Sequence, residues 1–286
     1  MLLLHRLIAI ELSWQAGMAA RSIWKGSISF GLVNIPIKLY SAAEEKTFSF
    51  NQLCQSGHRI QYKRWCPVED IEVPYQEIQK GYEIAKDNYV LIEKQEFENI
   101  KLKTSKTIDI KEFVDEKELD PIFVQKSYYV APDNKTPDKA YILLVNILKN
   151  TDKVAIGKVV LREREELVAL RAFQRGIIMH VLHYIDEIRP MDEIKEISET
   201  AASKVKLGDQ ELALGKILVE QLGSDRFDIS NYSDAYTDEL GKLIEAKCQG
   251  RRHIVKEEEP KETTRDLLEA LKASVTKSSS TRLRQK

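Results

Sequence analysis

Residues 21–40 read Arg21-Ser-Ile-Trp-Lys-Gly-Ser-Ile-Ser-Phe-Gly-Leu-Val-Asn-Ile-Pro-Ile-Lys-Leu-Tyr40, and the fold turns on how this block is read. It holds two short β-type runs, residues 28–33 and 35–40, punctuated by Gly26, Gly31 and Pro36. Ile28, Phe30 and Leu32 alternate with smaller or polar residues, the period of two that a half-buried strand requires. Lys25 and Lys38 flank the apolar body. No nucleophile, paired metal ligand or phosphate loop lies within the block, which points to a β-rich binding module rather than an enzyme.

The same texture continues to about residue 164. Residues 59–65 alternate through Ile60, Tyr62 and Arg64, and residues 88–92 carry Tyr89, Val90 and Leu91. Residues 106–114 alternate at Ile108 and Ile110, then slip to Phe113. Residues 127–131, 140–147 and 154–161 are further strand candidates, rich in Tyr, Val and Ile. Turn chemistry separates them at Ser56-Gly57, Cys66-Pro67, Asp120-Pro121 and Pro132-Asp133-Asn134. Many short strands at such spacing predict a barrel or a sandwich.

After Glu165 the period changes. Leu167, Leu170, Phe173, Ile177, Ile178, Val181, Leu182 and Ile185 recur at helix-like spacing, interrupted by Gly176, and Pro190 stops the run. Three helices are predicted beyond it. Residues 210–222 bury Leu214, Ile217, Leu218 and Leu222; residues 234–247 present Tyr236, Leu240, Leu243 and Ile244. Residues 264–275 offer Leu267, Leu268 and Leu271, with Thr263 and Asp266 spaced as a capping box. Residues 250–262 read as a charged linker. From Ala270 onward Lys272, Lys277, Arg282, Arg284 and Lys286 meet no acidic residue, a flexible basic tail suited to phosphate backbones.

Composition bounds these readings. The 286 residues carry 44 Lys+Arg against 45 Asp+Glu, so nucleic-acid binding must rest on where cations sit, not on their sum. Three cysteines, Cys54, Cys66 and Cys248, make no disulfide framework and fit a reducing cytoplasm. The apolar start, Leu2–Leu4 and residues 7–10, is too short to span a bilayer and makes a poor signal peptide, so no membrane role is expected. Residues 1–17 read as an upstream-start extension ahead of Met18, or as a disordered segment.

Sites for chemistry are sparse. Cys54, His58, Cys66 and Glu69 line up as four zinc-type ligands, but at a spacing that matches no zinc pattern. The five histidines form no cluster with the cysteines; His180 and His183 lie three apart without the Glu of a metalloprotease helix. No phosphate loop and no dinucleotide fingerprint occurs. Expectations are therefore no catalytic residues, no metal and no cofactor. The positive case is the set of cations within the β region: Lys25, Lys38, Arg59, Lys63, Arg64, Lys80, Lys126, Lys158, Arg162 and Arg164. In a regular strand Ile156, Lys158, Val160 and Arg162 would share one face, with Ala155, Gly157, Val159 and Leu161 opposite.

Residues 21–275 also resemble the prokaryotic Ku proteins. Besides the opening block, the likeness rests on Ser56-Gly-His-Arg-Ile-Gln-Tyr-Lys-Arg-Trp-Cys-Pro67, Val73-Pro-Tyr-Gln-Glu-Ile-Gln-Lys-Gly-Tyr-Glu83, Lys126-Ser-Tyr-Tyr-Val-Ala-Pro132 and Lys153-Val-Ala-Ile-Gly-Lys-Val-Val-Leu-Arg162. Tyr184-Ile-Asp-Glu-Ile-Arg189 and Asp266-Leu-Leu-Glu-Ala-Leu-Lys272 add to it. The chain departs from the family at Glu69, where Ku-like chains often carry the second Cys of a Cys-Pro-x-Cys.

The resemblance implies a mainly β chain with α: a Ku-type β-barrel core over residues 18–190 with a DNA-encircling strap (about residues 66–82), then a helical dimerisation arm over 191–249. Residues 250–286 would form the charged linker, a short helix and the basic tail. It implies a homodimeric ring that threads double-stranded DNA ends and reads backbone rather than sequence. A ligase D-type DNA ligase would be recruited through the C-terminal region in non-homologous end joining, in the cytoplasm at the nucleoid. Lys38, Lys63, Arg64, Lys80, Lys158, Arg162 and Arg164 are the expected phosphate contacts by family position. The competing readings are a general nucleic-acid-binding barrel without end specificity, and a metal-dependent enzyme around Cys54, His58, Cys66 and Glu69.

Overall fold

The structure, a computed structural model, describes residues 20–93, 95–96, 106–133, 139–162, 164–197, 207–251 and 267–284. The start at Met18, the extension before it, and the capping-box residues Thr263 and Asp266 lie outside them. Two compact units form. The first takes the chain up to Lys46 and from Phe50 to Arg189; the second takes Thr47–Ser49 and the chain from Pro190 onward.

The opening block forms β1 (Trp24–Phe30) and β2 (Val33–Ser41), turned through Gly31 at a φ of 59°; the turn breaks the expected run 28–33, so that Leu32 is exposed and Val33 opens β2. Four short strands follow: β3 (Trp65–Cys66), β4 (Ile71–Glu72), β5 (Lys80–Ala85) and β6 (Asn88–Ile92). Then come β7 (Thr107–Asp115), β8 (Val124–Pro132), helix α1 (Lys139–Thr151), β9 (Lys153–Leu161), β10 (Arg164–Phe173) and β11 (Gly176–Leu182). Seven of the strands close a barrel in the order β1-β2-β8-β11-β10-β9-β7.

A closed ring of seven strands cannot alternate direction all the way round, so one neighbouring pair must be parallel. That pair is β1 and β7, with Ser27 beside Thr107 and Ile28 beside Ile108. Since β1 and β2 are antiparallel, the chain leaves β2 and re-enters at β7 at the same end of the barrel. The intervening residues 42–106 carry β3 to β6 as two separate two-stranded sheets. Of residues 42–93, only Ala42, Phe48, Cys66, Val73 and Ile92 are half-buried, and the others are exposed. Residues 59–64 form no strand: Arg59 makes an isolated bridge to Leu53, and the Arg64 carbonyl accepts from Val73 just ahead of the ladder that begins at Trp65.

Alternate residues fill the barrel. Ile28, Ile35, Ile37, Leu39, Ile108, Val168, Leu170 and Met179 are all 0% exposed, and each such side chain stabilises by about 1.5–3 kcal/mol. Helix α1 lays Tyr141, Leu144 and Leu148 against this core, and the Tyr141 hydroxyl donates to the Val130 carbonyl at 2.7 Å. A second cluster lies on the outer face, where Val154, Ala169 and Leu182 are covered by Leu119, Phe123 and Val124.

Two element assignments are corrected. Residues 140–147, expected as a strand, are helical because Tyr141, Leu144 and Leu148 make an i, i+3, i+7 stripe. Residues 167–182, expected as helix, are β10 and β11. Their apolar residues fall on both faces, because the outer face there is also buried, and this erased the period of two.

The second unit contains α2 (Asp209–Leu222), α3 (Ala235–Cys248) and α4 (Leu267–Arg284), with α2 against α4. Asp234 caps α3 by accepting from the Thr237 amide at 3.1 Å. The helical backbone of α4 continues to Arg284, through residues the sequence reads as a flexible tail. Neither α2 nor α3 buries a residue; Leu212, Val219, Leu222 and Tyr236 are exposed.

Gly26 sits where the barrel closes. A Cβ there would come within 2.2 Å of the Lys106 carbonyl oxygen and within 2.2 Å of the Trp24 ring. Gly26→Ala should therefore destabilise the fold by about 1–3 kcal/mol in denaturant unfolding. An unchanged midpoint would show that the β1–β7 seam tolerates spreading.

Candidate nucleic-acid interface

The antiparallel β9–β10 hairpin turns at the barrel end where residues 42–106 leave and return. Arg162 occupies that turn with a φ of 49°, and Arg164 opens β10. Arg162 thus shares no strand face with Lys158; the regular strand ends at Leu161. Lys126 enters from the start of β8 on the inward parity of Tyr128 and Val130. These three cations rim a cleft of about 490 Å³ whose other lining includes Trp24, Tyr128, Leu161, Val181 and Glu166. The Trp24 ring folds over Gly26, so it lies across the mouth of the barrel.

Arg164 is held by carboxylates on two sides. It pairs with Glu187, and its Nε lies 3.8 Å from Glu166. The Arg164 hydrogen bond, followed by the Tyr184 amide and His183, holds the Glu187 carboxyl below the usual carboxylate range. Burial pushes the Glu166 carboxyl up, against the pull of Arg164. Neither Lys126 nor Arg162 has an acidic partner among the described residues. The Lys126 ammonium instead lies 5.8 Å from the Tyr128 ring centroid.

The other expected cations are dispersed. Lys38, on the outer face of β2, donates to the Asp133 carbonyl at 3.3 Å and pairs with its carboxylate; the side-chain hydrogen bond to that carboxylate raises the Lys38 pKa and lowers that of Asp133. Lys158, on the outer face of β9, binds Glu165 at 2.8 Å, which raises its pKa. Strands β2 and β9 are not neighbours, so Lys38 and Lys158 do not converge. Lys63, Arg64 and Lys80 all belong to the long insertion. Lys63 binds Glu72 at 2.8 Å, Arg64 lies 5.0 Å over the Tyr75 ring, and Lys80 opens β5. Of the expected phosphate contacts only Arg162 and Arg164 are brought together; Lys126, counted from sequence among the β-region cations but not among those contacts, and Trp24, not singled out, join them. The signal was present in Lys126-Ser-Tyr128, where alternation puts the cation on the inward face.

The zinc-type set does not assemble. Cys54 and His58 meet at 3.7 Å, but no group of three metal-ligating side chains forms among the described residues. Cys54 is exposed because its turn stands in the solvated insertion. Its thiol pKa is lowered, chiefly by the His58 backbone amide.

Comparison with known proteins accords with this geometry. The family described as the Ku70/Ku80 beta-barrel domain matches residues 29–214, which defines the chain's class as a Ku-type barrel. The non-homologous end joining protein Ku of Heliobacterium modesticaldum is 42% identical over 263 residues, covering 90% of this chain and 92% of the relative. That of Archaeoglobus fulgidus is 41% identical over 256 residues, covering 89% and 98% respectively. The chain belongs to the Ku family. No described helix is long and apolar enough to cross a membrane.

One ionisable network lies apart from the mouth. His180, 8% exposed on β11, meets the Ser127 hydroxyl at 2.8 Å and accepts from Arg171 Nε at 3.1 Å. Arg171 in turn reaches Glu116 at 3.5 Å. Burial, then Arg171, lowers the His180 pKa below 6.5, while Glu116 opposes this. A depressed histidine pKa means that the unfolded chain takes up the proton first, so stability falls as pH drops below 6.5. The melting temperature should fall between about pH 7 and about pH 5.5, and His180→Asn should flatten that slope. A slope that survives the substitution would assign it to other groups.

Proposed function

We propose that this chain binds ends of double-stranded DNA without regard to sequence and acts in non-homologous end joining. In this reading two copies close a ring around the duplex, and a ligase D-type DNA ligase is recruited. The observation that carries it is the insertion between β2 and β7. About fifty described residues stand in solvent without a buried side chain, and both roots lie at the cation-lined end of the barrel. An arch of that kind holds a ligand between itself and its base.

The charge arrangement supports backbone recognition. Lys and Arg side chains supply phosphate contacts without reading bases, and the carboxylates beside Lys38, Lys63, Lys158 and Arg164 keep the chain near neutrality. Duplex phosphate must displace those carboxylates, which favours a dense array of phosphates over isolated anions. The exposed apolar residues of α2 and α3 favour a second copy as their cover, since solvated faces of that kind mark interaction surfaces. The contact with the ligase is assigned to residues 264–286, and the working location to the nucleoid in the cytoplasm. The name shared by the relatives supports the repair role.

Each neutralised phosphate contributes about −0.9 to the slope of log affinity against log salt. Arg162→Glu with Arg164→Glu, four side chains in a ring of two copies, should weaken binding of a linear duplex by more than about tenfold and make the slope shallower by roughly 4. Sedimentation should give the mass of a dimer for both proteins. Unchanged affinity and slope would remove the barrel mouth from the DNA path; a monomeric mass for the unaltered protein would end the ring.

A further inference from the structure

We propose that the cleft at the barrel mouth binds a nucleoside 5′-phosphate, with the phosphate among Lys126, Arg162 and Arg164 and the base against the Trp24 indole. The proposal goes beyond grip on a duplex backbone, which requires neither a concave site nor an aromatic floor. At about 490 Å³ the cleft falls in the size class of small-molecule sites, which have mostly apolar walls and a few convergent polar groups. Its apolar part is Ile23, Trp24, Tyr128, Leu161 and Val181; its polar part is Gln125, Glu166 and three cations, of which Arg164 alone is paired with carboxylates, Glu166 and Glu187.

That imbalance distinguishes the mouth from the other cations. Lys38, Lys63 and Lys158 each rest on a carboxylate, whereas Lys126 and Arg162 have no acidic partner among the described residues. Arg162 stands in the β9–β10 turn rather than on a strand face, with a left-handed backbone at φ 49° like Asp87 and Gln174 in the other hairpin turns. Arg164 is fixed by Glu187 and Glu166, so its guanidinium is positioned before any ligand arrives. Planar guanidinium groups suit phosphate oxygens through paired donors. The indole adds a face on which a base can stack, and stacking tolerates every base. An inorganic anion would leave that floor unused.

Calorimetry on the full chain tests this with thymidine 5′-monophosphate, thymidine and inorganic phosphate as probes. The monophosphate should bind at least about tenfold more tightly than either fragment, and Lys126→Gln with Arg162→Gln should remove that advantage while leaving the melting temperature in place. Binding of phosphate as tight as that of the nucleotide would reduce the cleft to a plain anion site and overturn the proposal. So would no nucleotide binding, or binding indifferent to the two substitutions. Competition separates the two sources of this chemistry. Displacement by a single-ended hairpin duplex carrying a 5′-phosphate, and not by its 5′-hydroxyl counterpart, makes the ligand a strand terminus. Displacement by neither makes it a free nucleotide. Equal displacement by both assigns the cleft to the duplex backbone and overturns the proposal, without touching the end-binding reading, which the linear duplex alone already tests.

Discussion

The parallel contact between β1 and β7 is the constraint on which the functional geometry rests. Seven strands close only if one pair runs parallel, and placing that pair at this seam returns the long insertion to the end from which it left. The same end receives the β9–β10 turn and the start of β8, and with them Arg162, Arg164 and Lys126. The seam is tight because Gly26 lets the Trp24 ring and the Lys106 carbonyl approach. One closure rule, satisfied by one glycine, thus places an exposed arch and a set of cations together.

A near-zero net charge is compatible with phosphate binding because the chain neutralises its own cations locally. The ion pairs at Lys38, Lys63, Lys158 and Arg164 are solvent-exposed to differing degrees, and such pairs contribute little to stability, about 0–1 kcal/mol each. Their consequence is selectivity of a different kind. An isolated anion gains little by displacing a carboxylate already at 2.8 Å, as at Lys158, while a polyanion repeats the exchange along its length. Within this pattern Lys126 and Arg162 stand apart, which is why the mouth invites a discrete ligand as well as a backbone.

The fold was legible where one face of an element is buried and the other is wet. The opening block, with Ile28, Ile35, Ile37 and Leu39 inward, gave β2 to within two residues, whereas β1 begins four residues before its apolar run and ends at Phe30, leaving Leu32 exposed in the turn. Helices α2 and α3 were also placed within one or two residues by their apolar spacing. Legibility failed where both faces are apolar. Leu167, Ala169 and Leu182 pack outward with Leu119, Phe123 and Val124, so the period of two disappeared from β10 and β11. It failed again at α1, where exposed Ile142, Leu143 and Ile147 blurred the stripe of Tyr141, Leu144 and Leu148. The site was harder still. Family position named Arg162 and Arg164, but their meeting with Lys126 and Trp24 depends on barrel closure between strands distant in sequence.

The central claim is that an arch rooted at the basic barrel end encloses a duplex that can enter only from a terminus. It is tested most directly by a competition gel shift, with labelled linear duplex challenged by excess unlabelled linear duplex, by the same DNA closed into a circle, and by single strands. The account predicts that only linear duplex competes, because a ring must be threaded whatever the electrostatics allow. Competition by closed circles equal to that of linear DNA would contradict it, leaving a backbone binder that approaches the duplex from the side.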